Sequence, residues 1–173
     1  MFRLASSSGI KLGICGKGRA GKDTAAEFLT TVTKMRYLAG TSLWYKDQVF
    51  SWYEANRPGS YPDAMSCWKD RHSDRELWAQ IIGDINEDDP VEAYSRCLSE
   101  QDFLVGLRWR SEFLRVKKAG IVDAWLWVEN PRSKDDKTCE ITADDCDFVV
   151  LNNLDLQTYL ERLSGIACLL ARK

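Results

Sequence analysis

The stretch Gly16-Lys17-Gly18-Arg19-Ala20-Gly21-Lys22-Asp23-Thr24 constrains this chain more than any other part of it. It carries the spacing GxxxxGK. It lies between a short apolar run at 10–15 (IKLGIC) and a segment at 23–35 whose apolar residues recur at helical spacing. A glycine-rich turn between a buried strand and a helix lets consecutive backbone N–H groups converge on an anion, and the helix N-terminus adds the positive end of its dipole. Gly16, Gly18, Arg19, Ala20, Gly21, Lys22, Asp23 and Thr24 are therefore the candidate phosphate-binding residues, with Lys22 reaching the outermost phosphates. Asp23 stands where a serine or threonine hydroxyl commonly contacts Mg²⁺. A carboxylate can hold that ion directly or through water, and Thr24 offers a hydroxyl one residue later, so the metal reading rests on Asp23 or Thr24.

The rest of the pattern supplies a sheet for such a turn. Short apolar runs at 103–107 (FLVGL), 124–128 (AWLWV) and 148–151 (FVVL) read as further strands, and none alternates cleanly with polar residues, as expected for strands buried on both sides. Helical spacing marks 73–85, 91–99 (opened by Asp89-Pro90), 111–118 (stopped by Gly120) and 154–170. The aromatic segment 43–53 reads as a helix, or a strand plus a helix. Segment 55–63 reads as a loop, and 132–138 as a charged loop. Strands separated by helices predict an α/β fold, a three-layer sandwich with a mostly parallel sheet and helices on both faces, in a single domain over 1–173.

Composition narrows the chemistry. A net charge of −2 and a pI near 5.5 remove the simplest argument for a nucleic-acid backbone as partner. Six cysteines form no CxxC pair and His72 is the only histidine, which disfavours a structural zinc site or a His-rich metal centre and leaves a Ser-His-Asp triad only His72 to build on. No apolar run approaches the ~20 residues of a membrane helix, and residues 1–14 show no long apolar core with a small-residue cleavage site, so no secretory leader is expected. A cytoplasmic protein with buried thiols and no membrane partner is expected. A homodimer is left open.

The Gly-Lys-Asp-Thr ending of the loop resembles the bacteriophage deoxynucleoside monophosphate kinase-like P-loop family. Val105-Gly106-Leu107-Arg108, followed by a helix containing Glu112, is similar to that family's strand-then-arginine segment. Asp147-Phe148-Val149-Val150-Leu151-Asn152-Asn153 is similar to its last strand. Gly106 departs from the aspartate many members carry there. The resemblance implies a P-loop kinase domain using ATP and Mg²⁺, in the host cell cytoplasm if phage-encoded. It implies catalytic roles for Lys22 and Arg108, and adenine contact by Asn152 and Asn153. The acceptor would be a deoxynucleotide: either a free deoxynucleoside monophosphate or, as in a phage relative, the 5-hydroxymethyl group of hydroxymethyluracil in DNA, a step towards thymine hypermodification. The short chain and Gly106 tilt the sequence reading towards the DNA base.

Other residues carry two readings each. Arg108 and Arg110 follow a strand at the sheet edge where ligands bind, as phosphate clamps or as solvated loop residues. Arg132 either reaches the transferring phosphate or is simply solvated. His72 faces the acceptor or is structural. Asp47, Asp70, Asp84 and Asp88 are candidate bases for an acceptor hydroxyl. Trp125 and Trp127 read as core, while Trp44, Trp52 and Trp68 read as core first and base-stacking second. A GTPase reading lacks an N/T-K-x-D sequence, for which 133–136 (SKDD) is only a partial echo. A motor reading lacks an acidic end to the 103–107 strand.

Overall fold

The computed structural model describes residues 9–133 and 136–170. Residues 1–8, and Lys134 and Asp135 of the charged loop, lie outside them. Four strands, β1 (Leu12–Cys15), β2 (Phe103–Val105), β3 (Ala124–Glu129) and β4 (Phe148–Leu151), form one sheet in the order β2-β1-β3-β4. Every neighbouring pair is parallel, so each return needs a crossover, and helices provide it. They are α1 (Lys22–Val32), α2 (Lys46–Asn56), α3 (Ala64–Lys69), α4 (Arg75–Ile85), α5 (Pro90–Glu100), α6 (Arg110–Ala119) and α7 (Leu156–Leu170), with 3₁₀ turns at Thr41–Tyr45 and Ala143–Asp145.

Period-two alternation sends the strand side chains to two different cores. Leu12, Ile14, Phe103, Val105, Leu126 and Val128 face α1 and α7. Cys15, Leu104, Trp125 and Trp127 face α2, α4, α5 and α6. The fold is thus the expected three-layer α/β sandwich. Gly13 is required at the centre of β1, because a Cβ there would stand 2.1 Å from the Trp125 ring.

The boundaries follow local chemistry. Asp89 accepts from the N–H groups of Val91 and Glu92 and opens α5 ahead of Pro90. Gly120, at φ 66°, closes α6 in the left-handed conformation. The helix expected over 23–35 stops at Val32, because the Thr33 hydroxyl bonds the Leu29 carbonyl and then accepts from the Met35 N–H, taking the chain out of the helix. Segment 43–53 contains no strand: a 3₁₀ turn runs into α2. The short helix α3, capped by Asp63 on the Ser66 N–H, is additional to the sequence reading. The expectation of burial on both sides holds for β1 to β3 and fails for β4. At one edge of the sheet β4 leaves Val149 and Leu151 51% and 41% exposed, whereas β2, at the other edge, is buried throughout. Among the described residues no helix is long and apolar enough to cross a membrane. All six cysteines are free thiols; Cys15, Cys67 and Cys97 are buried, Cys139 and Cys146 half-buried, and Cys168 exposed, so the buried-thiol expectation holds for only half of them.

Candidate functional site

The turn between β1 and α1 is held in shape from outside. Gly16 and Gly21 adopt φ 147° and 106°, and Arg19 a left-handed φ of 60°. A Cβ on Gly16 would meet the Val128 carbonyl at 2.6 Å, and one on Gly21 would meet the Asn152 amide at 2.6 Å. Asn152 donates its Nδ2–H to the Ala20 carbonyl at 2.8 Å, and the Tyr159 hydroxyl donates to the Gly21 carbonyl at 3.0 Å. The ends of β3, β4 and α7 therefore brace the loop at the α1 N-terminus.

Lys22 is buried, with its ammonium donating to the carbonyls of Gly16 and Lys17 at 2.7 Å each. Burial, then the positive charges of Arg108 and Arg75, push its pKa down to about 8. A phosphate brought alongside would reverse that penalty. Asp23 is exposed beside it, one carboxylate oxygen accepting a short hydrogen bond from the Tyr37 hydroxyl. Thr24 follows on the same first turn of α1.

Next to the loop lies a cavity of about 290 Å³ with a mixed lining. Lys22, Arg19, Arg71, Arg75 and Arg108 bring positive charge to it, His72 also lines it, and Trp78, Ile82, Trp109 and Tyr94 give it aromatic and apolar walls. Burial, followed by Arg71, Arg75 and Arg19, lowers the pKa of His72. Glu112 also lines the cavity; its carboxylate accepts from the Tyr94 hydroxyl at 2.8 Å and from Asn86 at 3.2 Å, and burial raises its pKa.

Arg108 donates to Asp136 at 3.1 Å and to the Thr138 hydroxyl at 2.6 Å, and it lines the cavity. Arg75 meets the same Asp136 oxygen at 2.8 Å. Arg132 is exposed on the rim of a second, shallower cleft that also contains Gly18, Arg19, His72 and Arg75. Arg110 does not join them. It pairs with buried Asp145 at 2.7 Å and lines neither space, so its place is structural. Asn152 braces the loop, and Asn153 accepts from Arg162 at 2.7 Å; neither side chain lines these spaces.

Asp47, Asp70, Asp84 and Asp88 lie off the cavity. Asp70, for one, is engaged by Tyr61 and Ser73. Trp44, Trp52 and Trp68 pack against the aromatic core, as their first reading had it. The indoles in the cavity wall are Trp78 and Trp109 instead. Arg71, Arg75, Glu112, Trp78, Trp109 and Asp136 were missed as site residues. Their only sequence signal is the order of strands and helices, since α4, α6 and the 136–138 loop converge only after folding. Gly106, at φ 105°, forms part of the wall. A side chain in that backbone conformation would be strained.

For Mg²⁺, the fit rests on Asp23. No group of three or more His, Cys, Asp or Glu side chains that could hold a metal occurs among the described residues. Mg²⁺ in phosphoryl-transfer sites is held by one or two carboxylates together with substrate phosphates and water, so an accessible carboxylate at the loop is a suitable partner. Set against protein-family profiles and curated protein sequences, the chain matches none.

Proposed function

We propose that the protein is an ATP-dependent kinase that passes the γ-phosphoryl group to a deoxynucleotide acceptor bound in the cavity between the phosphate loop, α4 and α6. One observation carries the reading: a braced GxxxxGK loop opens onto a space lined by both cationic side chains and indoles. Those are the two surfaces a nucleotide needs, guanidinium for phosphate and a ring face for the base.

In this reading the loop N–H groups hold the donor's phosphates, and Lys22 with Arg108 and Arg75 neutralises charge as it spreads over the transferring phosphoryl. Asp23 would hold Mg²⁺, with Thr24 beside it; the ion, when bound, offsets phosphate charge. Trp78 and Trp109 orient the acceptor base, and the arginines of the lining orient its phosphate.

The geometry favours the free deoxynucleoside monophosphate as acceptor. Its phosphate is largely ionised near neutral pH, with a second pKa of about 6, and needs no strong base. A hydroxyl acceptor does need one; the four candidate aspartates lie off the cavity, and of the carboxylates that line it Asp23 is assigned to Mg²⁺ and Glu112 is engaged by Tyr94 and Asn86. The hydroxymethyluracil base in DNA keeps one observation on its side, since an indole-lined interior also accepts a base drawn out of a duplex.

γ-Labelled ATP supplied with a panel of free deoxynucleoside monophosphates, or with duplex DNA containing 5-hydroxymethyluracil, separates the acceptors. Label in deoxynucleoside diphosphates is expected, with loss of transfer in excess EDTA. Label in the modified DNA alone would favour the second acceptor, and label in neither would overturn the kinase reading.

A further inference from the structure

A single carboxylate oxygen, Asp136 Oδ2, accepts from three donors: the Gly18 N–H of the phosphate loop at 2.7 Å, Arg75 at 2.8 Å and Arg108 at 3.1 Å. The other oxygen accepts from the Thr138 hydroxyl at 2.6 Å. Such a convergence on one anionic oxygen is what a phosphoryl oxygen requires. We propose that Gly18 N–H, Arg75 and Arg108 form a phosphoryl-oxygen seat, and that Asp136 is its built-in occupant, displaced when a polyphosphate enters the loop.

The packing supports a built seat. A Cβ on Gly18 would lie 2.5–2.6 Å from the Arg75 guanidinium, so any larger residue would push Arg75 off the loop. That close approach brings Arg75 down onto the loop backbone. Asp136 is held tightly. Burial by itself would raise its pKa, yet the Thr138 hydroxyl, Arg108, Arg75 and the Gly18 N–H together outweigh burial and keep the carboxyl far below its usual range. The same carboxylate shields two guanidiniums that would otherwise repel each other beside Lys22. A polyphosphate brings more negative charge to the same donors, so the two anions compete for one seat. The protein would then bind its donor less tightly than the bare loop could, and phosphate binding would be coupled to the position of the 136–138 segment.

The inference rests on the phosphate-binding reading of the loop, and the test separates the two. Inorganic tripolyphosphate is titrated calorimetrically into the full chain and into Asp136→Asn, which keeps side-chain size and removes the charge. The wild type is expected to bind, and the variant to bind at least tenfold more tightly. Equal or weaker binding by a folded variant would overturn the occupant role while leaving the phosphate loop intact. No binding to either protein would overturn both readings. Should the variant not fold, carbon-detected NMR of the wild-type carboxylates decides the matter. Saturating tripolyphosphate is expected to shift the Asp136 carboxyl resonance towards that of a solvated aspartate, and an unmoved resonance would contradict displacement.

Discussion

The two faces of the sheet are packed from different materials. The face under α1 and α7 is mostly small and aliphatic, built on Leu12, Ile14, Ala25, Ala26, Leu29 and Leu163, each less than 1% exposed. The opposite face gathers Tyr45, Tyr53, Trp78, Tyr94, Phe113, Trp125 and Trp127. Small side chains in staggered rotamers interdigitate closely. Large rings carrying polar edges bury polar partners with them: Asn86 joins Tyr45, Tyr94 and Glu112. The aliphatic layer thus acts as a foundation that fixes the loop, while the aromatic layer leaves the cavity beside it. The difference teaches that loop and cavity can be disturbed separately.

Lys22→Ala breaks the foundation side where it meets chemistry, and it should have the largest effect. Removing the ammonium is expected to lower kcat by ~10³-fold, comparable with deleting one preorganised charge stabiliser. The melting temperature should hold or rise, because a buried charge is lost. Near-normal turnover would remove Lys22 from the mechanism.

Gly13→Ala attacks the aromatic layer from beneath. With its new Cβ 2.1 Å from the Trp125 ring, it is expected to destabilise the fold by about 1–3 kcal/mol or more, as overpacking does, measured by denaturant titration. An unchanged midpoint would mean that Trp125 is free to move and that this layer is looser than described.

Gly83→Ala is a finer probe. A Cβ at Gly83 would sit 2.7 Å from Trp109 Nε1, crowding the cavity wall. Helix propensity would favour alanine by about 1 kcal/mol, offsetting part of the clash. The acceptor KM is therefore expected to rise roughly tenfold, the scale of a changed contact in an apolar pocket, while ATP affinity stays constant. Equal changes in both would erase the division between the two regions.

The smallest effect is a pH dependence. Lys22 loses its proton near pH 8, so nucleotide affinity should be flat below that value and fall above it, by at most about tenfold per pH unit for one proton. Stability runs the other way. The unfolded lysine keeps its proton to its usual value of about 10.5, so the folded chain binds fewer protons between about 8 and 10.5, and the Lys22 contribution to stability rises with pH across that window. Calorimetric binding and denaturant titration at matched pH values check both signs.

The same contrast explains what could be read from the chain. Loop, strand and helix are contiguous in sequence, so the glycine spacing and the flanking apolar runs revealed them together. Gly120 and Asp89-Pro90 marked helix ends for equally local reasons. The cavity is non-local: Arg75, Arg108 and Asp136 meet across 61 and 28 residues of chain. No short pattern announces that Trp78 and Trp109 rather than Trp44, Trp52 and Trp68 reach it. Arg110 looked like Arg108 in sequence and diverged because it begins α6 beside Asp145.

The central claim is that loop and cavity form one continuous site for a donor and an acceptor nucleotide. A ligand with a nucleoside at each end of a five-phosphate chain spans both halves at once, and calorimetric titration measures the link directly. It is expected to bind about 10²-fold more tightly than ATP, since the second half-site engages without a second association step. Lys22→Ala and Gly83→Ala should each weaken it. Binding no tighter than ATP, with Gly83→Ala without effect, would contradict a shared site.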